Sequence, residues 1–570
     1  MENLEFYDAV GSPCCRRVRI TLKEKGLSFD TKIIDLLKGE QKQAWYLKIH
    51  PDGKVPALVH NGHAIAESNI ITEYLDDVFP EQPLYPTDPW DNAQVKMWQA
   101  FELKLAKHYF SLMYQTLAGR VLRITKTFDE YMAEVRQNSE DPAFLLYLEK
   151  SYKGTTLTPL EEDYARQYLT QCLNTVENAL SDNTYLVGNR FSQADISVYP
   201  RLMMFPFINV PITPAKYPNT MHWLARLNER SSFSKTKSLM DKSINPFMLK
   251  QIKWADENKN NQHLSFMQKI RFKAIKKALS VDLTKIELKL KKVSNNTHEK
   301  TNKKQAPRPL IPVKNNAPLS LLSADSNIES QIVEAALNQL KLPYSKEIID
   351  SALLAHQSEP FKRTYGDVAP PILRHGERVI SGYMVILDYL NKIEGDKTGT
   401  LFPSEPHACA NIKVHLYGDA EGWHKYLQRP FDQLVVGNAL QERFGSNSED
   451  LIKDKLTANN ADHAQCTYFL EAYNRILCGK REIHAAREKL ASKLRKYEQT
   501  LQSQNYLLTD RTFADTALLL RLNQYEKMGI VASADAYPAI YAWRQRVLDM
   551  NKVAVTHSSQ EKNPQTANAE

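Results

Sequence analysis

Apolar residues come in short strand-sized runs at the start of the chain and then, from Pro89 to about Phe247, recur at helical spacing. Residues 4–8 predict a strand. Residues 13–26 predict a helix: Cys15, Val18 and Leu22 share one face after a Ser-Pro start, and Gly26 stands at the C-terminal cap. Alternation through Phe29, Thr31 and Ile33 predicts a second strand over 29–36. Strands over 55–59 and 63–66 hinge on Asn61-Gly62, a pair suited to a tight hairpin. Ile70, Ile71, Tyr74, Leu75 and Val78 form the apolar stripe of a helix over 67–78. The order βαβ, connector, ββα predicts an α/β domain. The helical segments 93–113 and 159–180 predict an all-helical domain behind it, with Ser192-Gln193-Ala194-Asp195 as the N-terminal cap of one helix.

The pattern then begins again. Leu4-Glu5-Phe6-Tyr7 recurs as Leu319-Ser320-Leu321-Leu322, Ile33-Ile34-Asp35 as Ile348-Ile349-Asp350, Pro56 as Pro371 and Tyr74-Leu75 as Tyr389-Leu390, all at an offset of 315. The cap recurs as Thr512-Phe513-Ala514-Asp515, and Tyr217-Pro218 with Trp223 recurs as Tyr537-Pro538 with Trp543. A repeat this long is a whole two-domain unit, not a solenoid element. The predicted fold is an α/β domain plus an all-α domain, present twice in tandem. Its boundaries are 1–82, 89–248, a basic linker over 249–316, then 317–398, 403–555 and a disordered tail over 556–570.

Charge locates the linker. Of the net +8, residues 250–314 hold 17 Lys/Arg against 5 Asp/Glu, which is +12 and leaves −4 for the rest, so the folded parts carry no nucleic-acid footprint. Within it Phe272, Ile275, Leu279, Leu283, Ile286 and Leu290 line one helical face among lysines. Such a helix packs on a flanking repeat or lies on an anionic membrane surface. The stretch 294–304 and Pro307, Pro309 and Pro312 predict flexible linker. Six cysteines in 570 residues form neither a disulfide framework nor Cys-x-x-Cys zinc spacing. With no secretory signal at the acidic N-terminus and no apolar run of about 18 residues, a cytoplasmic protein is expected.

Three segments carry chemistry in the first copy: Ser12-Pro13-Cys14-Cys15-Arg16-Arg17-Val18-Arg19-Ile20, Gly53-Lys54-Val55-Pro56-Ala57-Leu58 and Glu67-Ser68. With the Ser192/Asp195 cap, they make residues 4–245 resemble the glutathione transferase family, in which a thioredoxin-like domain precedes an all-helical one. The Ser12 and Arg17-Val18-Arg19 spacing is similar to the serine-type classes, zeta among them, and residues 55–80 are more loosely similar to bacterial β-etherase-type transferases. The resemblance implies glutathione as co-substrate. Ser12 is implied to favour the glutathione thiolate, Val55 before a cis-proline to pair with its cysteinyl backbone, Glu67 and Ser68 to take its γ-glutamyl end, and Lys54 and Gln41 to meet its glycyl end. Cys14, near a helix start, supports an alternative thiol–disulfide exchange. Cys15 matches a dispensable position and is expected to be buried. Arg16 and Arg17 are expected to face solvent or pack on the helix, and Tyr7 to pack at its strand end. An apolar wall from Phe101, His108, Tyr109, Phe110, Met113 and Tyr114 suits either a hydrophobic electrophile or a core.

The second copy departs at those positions. Leu322, Asn327, Ala369, Pro370, Gly382 and Tyr383 stand where Tyr7, Ser12, Lys54, Val55, Glu67 and Ser68 stand in the first. Pro370 lacks the amide that Val55 offers. The expected protein is therefore a glutathione transferase with one competent repeat acting on a small electrophile. The degenerate repeat is expected to pair with it inside the chain, with a homodimer as the other arrangement and a non-catalytic scaffold as the alternative from another class.

Overall fold

The computed structural model describes residues 3–9, 11–36, 39–237, 246–279, 317–324, 327–365, 368–394, 401–417 and 427–560. β1 (Leu4–Asp8) runs parallel to β2 (Asp30–Ile33) and antiparallel to β3 (Ala57–His60), which pairs with β4 (His63–Ala66), giving the order β2-β1-β3-β4. β5 (Leu319–Ala324), β6 (Tyr344–Ile349), β7 (Ile372–His375) and β8 (Arg378–Ser381) repeat it as β6-β5-β7-β8. β2 is shorter than the predicted 29–36 because its partner β1 ends: Asp8 against Ile33 is the last pair. The hairpin forms at Asn61-Gly62, whose φ angles of 50° and 86° are the left-handed pair that a two-residue turn demands. Both Val55–Pro56 and Pro370–Pro371 are cis.

Each sheet is covered on one side by a helix pair. In the first repeat Pro13–Glu24 and Ser68–Val78 close over Phe6, Leu58 and Ile65. In the second, Ile328–Gln339 and Tyr383–Glu394 follow the same plan. Behind each lie helices only. In the first helical unit Asp195 closes the cap of Gln193–Leu202 and also accepts from the Trp223 indole at 2.8 Å. Asp515 and Trp543 repeat that bond at 2.9 Å. The recurring capping residue and tryptophan are thus one buried device, fixing a helix start to a distant helix.

The helices over the predicted linker belong to the first repeat. Pro246–Asn258 buries Ile252 and Ala255 in the first helical core, and Phe266–Leu279 lays Phe272, Ile275 and Leu279 on the same core. Asp256 joins Arg123 at 2.7 Å. The apolar stripe therefore packs on protein as far as Leu279; Leu283, Ile286 and Leu290 lie outside the described residues. The predicted disordered tail begins inside a helix, since Pro538–Gln560 runs past 556. No described helix is long and apolar enough to cross a membrane.

The two repeats meet across Ser68–Val78 and Pro89–Met113 of the first and Tyr383–Glu394 and Pro406–Tyr417 of the second. Ala93 joins the second repeat's core, and Ala410 joins the first's. Between these apolar contacts Lys96 binds Glu73 at 2.5 Å and Asp388 at 2.6 Å, while Lys413 binds both carboxylates at 2.6 Å. Asp388 is Glu73 displaced by the repeat offset, and Lys413 is Lys96 counted from the start of its helix, so the ring of four charges is pseudo-two-fold. Burial alone would raise the Glu73 carboxyl, but Lys413 and then Lys96 overcome it and hold it well below its ordinary value.

Lys413→Met should cost about 3–5 kcal/mol in denaturant unfolding, the scale for removing one member of a buried ionic cluster. A carboxyl with a depressed folded pKa contributes stability that is complete above its unfolded value and is lost as pH falls through the folded one. The variant should therefore lose less stability than the parent on acidification below the ordinary value of 4.5.

Candidate functional site

Ser12 is the N-cap of Pro13–Glu24, and its hydroxyl oxygen accepts the Cys15 amide at 3.3 Å. A hydroxyl has one donor and two acceptor sites, so this cap leaves the O–H available to a further partner. Gly11, Ser12, Pro13, Arg16 and Arg19 line a depression closed on the far side by Pro200 and Met204 of the helical unit. Two residues beyond the cap, Cys14 Sγ lies 3.6 Å from Arg201 Nη2 and is half-buried. Cys15 is fully buried, as expected, and burial with the nearby Asp8 carboxylate pushes its thiol far up.

Of the two expectations for Arg16 and Arg17, burial supports packing, and Arg19 is buried with them. None of the three faces solvent. Arg16 binds the Phe233 carbonyl at 3.3 Å and lies 5.0 Å from the Tyr199 ring centre. Arg19 pairs with Asp8 at 3.5 Å. Arg17, 1% exposed, binds Ser68 Oγ at 3.0 Å, together with Asn69 Oδ1 and Glu102. Arg201, 0% exposed, holds the other Glu102 oxygen at 2.8 Å and lies over the Tyr109 and Phe110 rings. Burial would raise the Glu102 carboxyl; the two guanidiniums reverse this and hold it low. Two buried cations thus share one carboxylate beside Cys14.

The second wall is the turn from β4 into Ser68–Val78. Glu67 occupies it at φ 65° and ψ 117°, and Lys54 Nζ meets its Oε1 at 3.3 Å. The loop before Pro56 completes the site. Tyr46 donates to the Lys54 carbonyl at 2.6 Å, Lys42 to the Asp52 carbonyl at 2.8 Å, and the Gly53 amide to His50 at 2.8 Å. Gly53 has φ 59°, and a Cβ there would lie 2.5 Å from the Gln41 carbonyl, so only glycine lets the two segments touch. Gln41 is buried, and its side-chain Oε1 lacks a hydrogen-bond partner.

The helix that Ser12 caps and that carries Cys14 therefore reaches Ser68 through Arg17, Ser68 adjoins Glu67, Glu67 meets Lys54, and Gln41 backs the loop that carries Lys54 and Val55. Tyr7 packs against Tyr46 and donates to Glu5 at 3.1 Å. Of the apolar wall, Tyr109 and Met113 are buried in the helical core and His108 packs on Tyr168, which favours the core reading for those three. Asn69, Glu102 and Arg201 were missed. A cation and an anion at positions otherwise on apolar helical faces were the available signal. Among the described residues no group of three or more His, Cys, Asp or Glu gathers as a metal site would require.

The second repeat lacks the arginine that ties the two helices together. Ile332 stands at the Arg17 position, Met384 at that of Asn69, and Gly382, at φ 89°, at that of Glu67. Asn327 still caps its helix, accepting from Ser330 at 2.9 Å.

The fold defines the class: a thioredoxin-like domain followed by an all-helical one, present twice. The chain belongs to the glutathione S-transferase family. The family profile for the N-terminal domain matches residues 11–78, and that for the C-terminal domain matches 140–231 and again 464–550. Protein LigF of Sphingobium sp. is 31% identical over 240 residues, covering 40% of this chain and 90% of LigF. A zeta-class glutathione S-transferase of Euphorbia esula is 45% identical over 85 residues, 15% of this chain and 38% of that protein. The crystal structure of the beta-etherase LigF, 27% identical, covers 41% of this chain and 98% of its own, with a TM-score of 0.38.

The two neighbouring thiols should separate in a thiol-reagent titration of the native chain. Cys14→Ser should remove a fast-reacting phase, and Cys15→Ser should leave that phase intact, because of these two thiols Cys14 is the one partly open to solvent.

Proposed function

We propose that the first repeat binds glutathione and presents its thiolate to a small electrophile, by addition or by displacement of a leaving group. One observation carries this reading. Glu67 is a non-glycine residue at φ 65°, and the second repeat, built on the same turn, has glycine there at φ 89°. Holding a side-chain residue in such a conformation costs on the order of 1–3 kcal/mol. Folding alone is served by glycine; the glutamate is explained by the need for a carboxylate at that point.

In this reading the ammonium of the γ-glutamyl end goes to Glu67, and its carboxylate to the helix start at Ser68, where amides and the helix dipole favour an anion. Val55 pairs with the cysteinyl backbone as an added strand. Lys54 and Gln41 take the glycyl end. The Ser12 hydroxyl, oriented by its cap bond, donates to the glutathione sulfur and stabilises the charged form. The second repeat, lacking these groups, serves as the pairing surface that the charge ring and the flanking apolar contacts fit.

A second reading has its own support. Arg201 lies against Cys14 Sγ, and Arg17 and Arg201 together leave one buried positive charge that Glu102 does not balance. A Cys14 thiolate would balance it, and would attack a glutathione disulfide to form a mixed disulfide with release of glutathione thiolate.

Ser12→Ala should lower turnover with a general electrophile at least tenfold, about 1.4 kcal/mol of barrier, with glutathione affinity nearly unchanged. Full activity in Ser12→Ala together with its loss in Cys14→Ser would replace the first reading by the second.

Glu67→Gly separates strain from binding. It should unfold at an unchanged or higher denaturant midpoint while its glutathione dissociation constant, read by calorimetry, rises by tenfold or more, about 1.4 kcal/mol or above for a charge-assisted bond. Unchanged affinity would remove Glu67 from the site.

A further inference from the structure

The second repeat does more than pair: it touches both walls of the site just described. Lys496 of helix Lys480–Ser503 donates to the Pro51 carbonyl at 2.7 Å. That carbonyl belongs to the loop leading to Lys54 and Val55, whose Asp52 and Lys54 carbonyls are held by Lys42 and Tyr46 of the first repeat. On the other wall, Tyr417 accepts from Asn69 Nδ2 at 3.0 Å, while Asn69 Oδ1 takes Arg17, the residue that also holds Ser68.

The Lys496 bond joins two exposed residues, and the helix that carries it is what places it. Helix Lys480–Ser503 is fixed against Pro142–Lys153 of the first repeat by Arg481 to Glu149 at 2.7 Å, Lys150 to Glu482 at 2.9 Å, and Lys489 to Asp141. Positions 482, 489 and 496 are spaced by seven and share one helical face, so the ion pairs set the register that brings Lys496 to Pro51. Tyr417 ends the helix Pro406–Tyr417, and that end is clamped. The Tyr383 hydroxyl donates to the Leu416 carbonyl at 2.8 Å, and Arg521 donates to the His415 carbonyl at 2.7 Å and to that of Leu416.

The clamp residues are informative by position. Tyr383 stands where the first repeat has Ser68, and Arg521 where it has Arg201. Residues at the vanished site of the second repeat hold the end of the helix that reaches the site of the first. The reverse contact is missing: Ala100, counted from its helix start, is the counterpart of Tyr417, and it faces Gly382 with only a methyl group, 3.6 Å from where a Cβ would stand. Thr175 is likewise the counterpart of Lys496. The long polar side chains occur on the side that faces the equipped repeat.

We propose that the glutathione site is composite: Lys496 and Tyr417 of the second repeat are positioning residues that set the distance between the Pro51–Val55 loop and the start of helix Ser68–Val78. This rests on the reading of the first repeat as a glutathione site. Neither residue touches the reacting sulfur, so removing either should weaken binding and spare the chemical step.

The test uses the full chain. Glutathione affinity is measured by calorimetry, and KM and kcat with an aryl halide, for the parent, Lys496→Met, Lys496→Arg and Tyr417→Phe, with unfolding midpoints alongside. Expected are a rise of about threefold or more in the dissociation constant and in KM for glutathione in Lys496→Met and Tyr417→Phe, the scale of one hydrogen bond. The same variants should keep kcat and unfolding midpoint near the parent's, and Lys496→Arg should restore affinity. A parent that binds glutathione while both variants bind it equally well overturns the composite site and leaves the functional reading standing. Losses of affinity that follow the unfolding midpoint, or that fall on kcat alone, overturn it too. A parent that binds no glutathione at any concentration tested brings down the functional reading, and the composite site with it.

Discussion

Four charges at the junction of the repeats, three of them buried and Glu73 partly so, organise the molecule. Glu73, Lys96, Asp388 and Lys413 alternate in sign around one pseudo-two-fold axis, and each carboxylate is held by a lysine from its own repeat and one from the other. Desolvating such groups is costly unless all four partners are present. The junction is therefore selective for correct docking: a slip of one helical turn would leave charges buried and unmatched, a larger penalty than the apolar contacts around Ala93 and Ala410 could offset. That register fixes where the second repeat's helices end relative to the first repeat's loops.

The first repeat shows a second use of buried charge. Arg17, Glu102 and Arg201 come from three helices and are almost wholly excluded from water, yet they couple the helix that starts at Ser12 to the helix that starts at Ser68. One polar cluster therefore ties the two helices to each other and to the helical unit. In the second repeat Ile332 replaces the central arginine and joins the apolar core. The fold survives without that arginine, which separates what the architecture needs from what the site needs.

Repetition made the architecture legible in the sequence. The offsets, the two prolines, the Asn61-Gly62 turn and the two capping boxes each state a local rule that the structure obeys, so element order and topology follow from them. Less was legible wherever a residue's partner is remote in sequence. Arg16 and Arg17 sit off the apolar stripe from which a helix face is read, and nothing local announces the Phe233 carbonyl as the partner of Arg16, or Glu102 and Ser68 as those of Arg17. Lys413 meets Glu73 across 340 positions, so neither the charge ring nor the reach of Lys496 and Tyr417 was foreseeable. The basic segment was legible in part: its apolar stripe was expected to pack on a flanking repeat or to lie on a membrane, and as far as Leu279 it packs on the first core, whereas the linker boundary at 249 falls inside a helix of that core.

Covalent duplication also alters what substitution does at the junction. In a symmetric pair of identical chains every interface change occurs twice, and each new side chain must be compatible with its own image. Here each position occurs once. Glu73 faces Asp388, and Tyr417 has Ala100 as its counterpart, combinations that strict symmetry forbids. Fusion thus frees the two faces of one interface to diverge separately, and a chain built this way can add a side chain to one repeat's rim without adding it to the other.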